Sequence, residues 1–194
     1  MEQHRVIILA SASPRRKELL EKIGLKFQVD PSDFPEKLRQ DLPPEGLVKF
    51  NSIGKASFVA SKYPDAIIIA ADTIGVIHNH LIGKPHTAEE SVKMLQILSG
   101  KTHRVITGLT VLDTGSGKML TRTVETKVHI RELSLLEIQN YVQSGEPQDK
   151  AGAYAIQGLG ALIVEKISGD YYNVVGLPLN ALASCLKELG VNLL

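Results

Sequence analysis

The chain has 194 residues, a formal net charge of +1, and a composition that is 43% hydrophobic and 22% charged. That length suits one domain, or two small lobes sharing a core, and the near-neutral balance excludes a nucleic-acid coat or a polybasic membrane binder, whose affinity comes from released counterions. The single cysteine, Cys185, forms no internal disulfide and reads as a small core residue in a reducing cytosol. The first apolar run is too short for a signal peptide or membrane span, so the expectation is a cytoplasmic protein without membrane partners.

In chain order, Val6 to Ala10 reads as a buried strand that breaks into Ser11-Ala12-Ser13-Pro14-Arg15-Arg16. Ser13 fits a helix N-cap and Pro14 the first helical position. Leu19, Leu20 and Ile23 supply the apolar stripe, and Gly24 stops the helix. Leu25 to Val29 suggests a second strand, followed by a proline-broken loop to Pro44. A long helix is expected over Glu45 to Tyr63, its apolar face carried by Leu47, Phe50, Ile53, Ala56, Val59 and Ala60. Ala66 to Ala70 is a continuous buried-strand pattern ending just before Asp72-Thr73.

Ile74 to Ile77 and Leu81-Ile82 flank an Asn79-His80 turn and predict a hairpin. Thr87 and Glu90 form a capping box for a helix ending at Gly100, as do Ser134 and Glu137 for one ending at Gly145. Between these helices lie strands Arg104 to Leu112 and Thr121 to Arg131; on the second, Val124, Thr126, Val128 and Ile130 share one face. Glu146 to Gly160 reads as a functional loop. Ala161 to Ile167 and Tyr171 to Val175 are expected strands, and Pro178 opens a closing helix that Gly190 ends. Helices alternate with too many hairpins for a doubly wound parallel sheet. The fold class is therefore α/β, a mixed sheet with helices on its faces.

The chemistry concentrates at two places. A strand feeding the Ser13 helix leaves backbone N–H groups and a positive dipole end at one spot, flanked by two hydroxyls and two guanidinium groups. This is an anion site, phosphate above all, or else a purely structural cap with Arg15 and Arg16 solvated. Asp72 follows an apolar strand, where a carboxylate needs a metal, a cation partner or a proton to take; the plain alternative is a turn aspartate bonded to backbone amides. Lys55 and Lys84 each read as solvated lysines or as groups aimed at the same site. His78 and His80 lack the spacing of a zinc pair, and His103 reads as structural. No Walker-type loop, cysteine cluster or nucleophile elbow is present in the sequence. A phosphate site, a strand acid and lysines favour metal-assisted phosphoryl chemistry over acyl transfer.

Several motifs together resemble one family. Ser11 to Leu20 (SASPRRKELL), Ala71-Asp72-Thr73, Gly83-Lys84-Pro85, Leu98 to His103 (LSGKTH), Asp149 to Gly158 (DKAGAYAIQG), Gly169 to Tyr172 (GDYY) and Val175 to Leu179 (VGLPL) resemble the Maf family, in its order, from about residue 6 to 180. The resemblance implies a single Maf-type domain over 1–194, with an inosine-triphosphatase-like mixed fold whose two lobes share a core and flank a cleft. It also implies a nucleoside triphosphate pyrophosphatase that uses a divalent cation, Mg²⁺ or Mn²⁺, and often forms a homodimer. A link to septum formation is the second implied role, the alternative being a nucleotide-sensing regulator of cell division that acts by binding.

Within the family, Asp72-Thr73 and Ile156-Gln157-Gly158 look like the dTTP/UTP branch, whereas the 7-methyl-GTP branch shows Asp-Gln and Glu-Gly. The resemblance assigns Asp72 as proton acceptor and Arg15, Thr73 and Gln157 as specificity residues for dTTP, UTP and modified pyrimidine triphosphates. It places phosphate on Ser11, Ser13, Arg15, Lys55 and Lys84, and the metal on Asp72 and Glu36, with Pro35 where relatives commonly carry another acid. A carboxamide both donates and accepts, so Gln157 can pair with the N3–H and O4 edge of uracil or thymine.

Overall fold

β-Branched residues build the centre of the sheet: Ile67, Ile68 and Ile69 are wholly buried beside Ala70 and Ala71. The computed structural model describes residues 5–36, 39, 41–78, 80–148 and 150–194. Its strands are β1 (Ile7–Leu9), β2 (Gln28–Val29), β3 (Ile67–Ile77), β4 (His80–Ile82), β5 (Thr102–Asp113), β6 (Met119–Ile130) and β7 (Val164–Ser168). The helices are α1 (Pro14–Lys22), α2 (Pro44–Ala60), α3 (Ala88–Leu98), α4 (Leu135–Gln143), α5 (Tyr171–Val175) and α6 (Leu179–Glu188). Two 3-10 turns, Ala151–Ala153 and Gly158–Leu162, lie between α4 and β7.

Among the described residues the strands form a seven-stranded mixed sheet in the order β2-β1-β3-β5-β6-β7, with β4 pairing β3 beside this path. β1 runs parallel to both β2 and β3, in register Ile8↔Gln28 and Ile8↔Ile68. β3 pairs antiparallel with β4, and β6 with β7. The mixed α/β class expected from the sequence is the one observed.

The chain divides into two units. The first comprises Met1–Asp72, Thr107–Val124 and Gly176–Leu194, the second Thr73–Ile106 and Glu125–Val175. A core of the first packs Ile8, Ile68 and Leu112 with Ala56 and Val59 of α2. The second packs Leu95 and Leu98 of α3 and Ile138 and Tyr141 of α4 against Val105, Val128 and Ile130. Cys185 is buried and free.

Several expectations need correction. β3 does not end before Asp72; it runs unbroken through Asp72 and Thr73 to Ile77, because its second half pairs with β4. The buried face of α2 includes Asn51, Ser52 and Lys55, while Phe50, Ile53 and Ala60 are half-buried. Tyr171–Val175 is helix, not strand. Its β-rich composition is overridden by Asp170, whose carboxylate accepts from the Tyr172 N–H at 2.7 Å, and by buried Asn173, which donates to the Val105 carbonyl and the Thr126 hydroxyl. Residues 161 and 162 belong to a 3-10 turn before β7. Thr87 caps α3, but the Glu90 carboxylate reaches the His86 N–H instead of closing the box on Thr87. Asn79 and Asp149, part of the hairpin turn and of the late loop, lie outside the described residues.

Candidate active site

Local rules place the first half of the site. Ser13 caps α1, its hydroxyl accepting the Arg16 N–H at 3.5 Å, with Pro14 opening the helix. Ser11, two residues past β1, accepts from the Ser13 N–H at 3.3 Å and from Arg16 Nη1 at 3.1 Å. Arg16 is a clamp. Its Nη1 also donates to the Ala71 carbonyl at 2.9 Å, and its Nε to the Gly176 carbonyl at 2.8 Å. Burial draws its guanidinium pKa down, against the opposing pull of the Asp72 and Glu36 charges. Arg15 differs from its neighbour: its Nε is buried with no hydrogen-bond partner.

Asp72 is the centre. It lies in β3, only 5% exposed, with both carboxylate oxygens engaged by α2. Lys55 Nζ donates to Oδ1 at 2.7 Å, and Asn51 Nδ2 to Oδ2 at 3.0 Å. Asn51 and Lys55 are one helical turn apart and therefore share a face. That face is pressed close to the sheet: a Cβ at residue 108 would lie 2.3 Å from the Val48 carbonyl oxygen, and Ser52 Oγ meets Thr110 Oγ1 at 2.9 Å. Gly108 thus lets α2 approach closely enough to bring Lys55 and Asn51 to Asp72.

Lys55 also binds Glu36, Nζ to Oε1 at 2.6 Å. Glu36 sits on an exposed loop that an aromatic contact anchors. Phe34 covers Gly54 so closely that a Cβ there would be 2.3 Å from its ring, and it meets Phe50 edge-on at 6.0 Å. A buried charge costs several kcal/mol unless paired (about 3–5 when one partner is removed). The Asp72–Lys55 pair meets that condition through Asn51 and Glu36.

In the second unit, Thr73 is half-buried in β3 directly after Asp72. Lys84 is exposed on the loop after β4, whose Gly83 carbonyl accepts the Gly152 N–H at 3.0 Å. Gln157 is half-buried at the N-cap position of the second 3-10 turn. His103 is structural as expected: it is buried, with Nε2 2.8 Å from the Tyr154 hydroxyl and the two rings edge-on. The first unit therefore brings Glu36, Lys55 and Asp72 together and places Ser11, Ser13 and Arg15 around the start of α1. Sequence reasoning missed Asn51. Its signal in the sequence is the i, i+4 spacing with Lys55, which puts both on one helix face.

Among the described residues no three His, Cys, Asp or Glu side chains gather as a closed metal site. Two carboxylates, Asp72 and Glu36, nevertheless converge on the single ammonium of Lys55. Oxygen-only donors of this number suit Mg²⁺ or Mn²⁺, which are held by one or two carboxylates with phosphates completing the shell.

The family model described as "Maf-like protein" matches residues 6–189. The chain is 50% identical over 190 residues to the dTTP/UTP pyrophosphatase of Methanococcoides burtonii, covering 97% of each chain. It is 49% identical to the proteins of the same name from Methanosarcina mazei and Dictyoglomus thermophilum, covering 97% of this chain and 96% and 98% of theirs. Among solved structures, the Ham1 protein of Staphylococcus aureus aligns with 65% of this chain and 72% of its own, at a TM-score of 0.47 and 14% identity, a likeness too slight to assign a fold.

Proposed function

This chain belongs to the Maf family, and from that membership we propose that it is a nucleoside triphosphate pyrophosphatase hydrolysing dTTP and UTP to the monophosphate and pyrophosphate. The observation that carries the reading is the buried Asp72 carboxylate, held by Lys55 and Asn51 and joined by Glu36. The names and near-full coverage of the relatives support the same activity.

Asp72 accepts the proton of a water that attacks the α-phosphorus. The new P–O bond forms as the bond to the α,β-bridging oxygen breaks, and pyrophosphate leaves. Asp72 and Glu36 would hold Mg²⁺ or Mn²⁺, which when bound offsets the negative charge of the phosphates. The N-terminal end of α1, the Ser11 and Ser13 hydroxyls, the Arg15 guanidinium and the Lys55 and Lys84 ammonium groups bind the triphosphate. Gln157 reads the N3–H and O4 edge of the pyrimidine, with Thr73 and Arg15 completing the choice of base.

A panel of dTTP, UTP, CTP, GTP and 7-methyl-GTP with Mg²⁺, followed by pyrophosphate release, tests this. We expect dTTP and UTP to be preferred by about tenfold or more, the scale that matched hydrogen bonding to a base can supply. Asp72→Asn should lower kcat by roughly 10²–10⁴-fold while nucleotide binding persists. Equal hydrolysis of all five nucleotides would overturn the substrate assignment, and full turnover in Asp72→Asn would overturn the role of Asp72.

A further inference from the structure

Gln157 stands at the tip of a loop that turns back on itself. A Cβ at residue 160 would lie 1.8 Å from the Ala155 carbonyl oxygen, so the two ends of the 155–160 segment are in backbone contact. One carboxylate holds that segment. Glu146 Oε1 accepts the Gly160 N–H at 2.9 Å and the Tyr141 hydroxyl at 2.8 Å, and Oε2 accepts the Leu159 N–H at 2.9 Å. On the other side of Gln157, the Tyr141 oxygen accepts the Ala155 N–H at 3.2 Å. Gly158 has φ +67°, and a Cβ there would meet Glu146 Oε2 at 2.5 Å, so the carboxylate fills the space a side chain would need.

Tyr141 is buried, and both oxygens of Glu146 are occupied by the protein's own donors. Glu146 is therefore committed to the backbone of the 155–160 segment and to Tyr141. Its three accepted bonds are charge-assisted and directional, suited to fixing a backbone.

We propose that Glu146 and Tyr141 are positioning residues that bracket Gln157 from both sides and so set the pyrimidine preference. The proposal rests on the reading of Gln157 given above. It predicts a defect in discrimination, not in chemistry. Glu146→Ala should raise KM for dTTP and UTP about tenfold, the size of a lost charge-assisted bond. Its kcat should change by no more than about twofold, as expected for lost ground-state positioning. The preference for dTTP over GTP should fall by the same factor as KM rises. In a Gln157→Ala background, Glu146→Ala should change the preference no further, because the two act as one unit. Tyr141→Phe removes only the hydroxyl and keeps the ring in the core; it should shift the preference in the same direction even if Glu146→Ala fails to fold.

Amide hydrogen exchange reads the bracket directly. The N–H groups of Ala155, Leu159 and Gly160 should be protected in the unaltered protein, with Leu159 and Gly160 losing protection in Glu146→Ala and Ala155 in Tyr141→Phe. Unchanged protection in both variants would overturn the proposal, as would an equal loss of turnover across all nucleotides or additive effects with Gln157→Ala. If protection is lost while Gln157→Ala itself leaves the preference intact, the base-reading role of Gln157 fails and the bracket stands as a structural device alone.

Discussion

His103 carries a stability cost that pH exposes. Burial pushes its pKa down to about 4, so the folded protein keeps the ring neutral against Tyr154 while the unfolded chain protonates it near 6.5. Between those values the unfolded state binds more protons, so stability is full above pH 6.5 and falls as the pH drops toward 4. The loss is on the order of 3 kcal/mol by pH 4. Urea denaturation at pH 7 and pH 4.5 should show this drop, and His103→Gln should flatten it; an unchanged slope in the variant would place the sensitivity elsewhere. The sequence identified His103 as structural and Asp72 as an acid in an apolar setting. It did not show that Lys55 and Asn51 face inward. A polar residue on a helix resembles a solvated one until its partner's position in space is known, and here that partner is 17 or 21 residues away.

At the scale of elements, caps were legible and long-range persuasion was not. Ser13 with Pro14, and Ser134 with Glu137, define the starts of α1 and α4 by bonds within a few residues, so their chemistry is readable from adjacent letters. Tyr171–Val175 shows the opposite case. Its local preference is β, yet Asp170 accepts the Tyr172 N–H and buried Asn173 ties the turn to groups on β5 and β6. The approach of α2 to β5 gives a prediction at this scale. Gly108→Ala forces a methyl group into the Val48 carbonyl, and the helix carrying Asn51 and Lys55 must move. We expect a loss of about 3 kcal/mol in urea denaturation, at the upper end for overpacking, together with reduced turnover. An unchanged midpoint would show that the helix does not rest on this glycine.

For the whole molecule, the alternation of helices and hairpins indicated a mixed sheet, and a mixed sheet is found. The strand order was not legible, because pairing between β1 and β3 joins residues about sixty positions apart and leaves no local trace. The sequence reads the single strand from Ile67 to Ile77 as two for the same reason: an aspartate in mid-strand looks like an end until Lys55 and Asn51 supply its charge partner and hydrogen bond. Among the described residues no helix is long and apolar enough to cross a membrane. The site's parts come from distant segments, so the motifs named the family more readily than they showed the geometry.

In the proposed reaction, water attacks the innermost phosphorus of a pyrimidine triphosphate with help from Asp72. Hydrolysis of dTTP in ¹⁸O-enriched water, read by ³¹P NMR and mass spectrometry, tests it most directly. The prediction is one labelled oxygen in dTMP beside unlabelled pyrophosphate, lost in Asp72→Asn. Label in the pyrophosphate, or release of orthophosphate and dTDP, would contradict it.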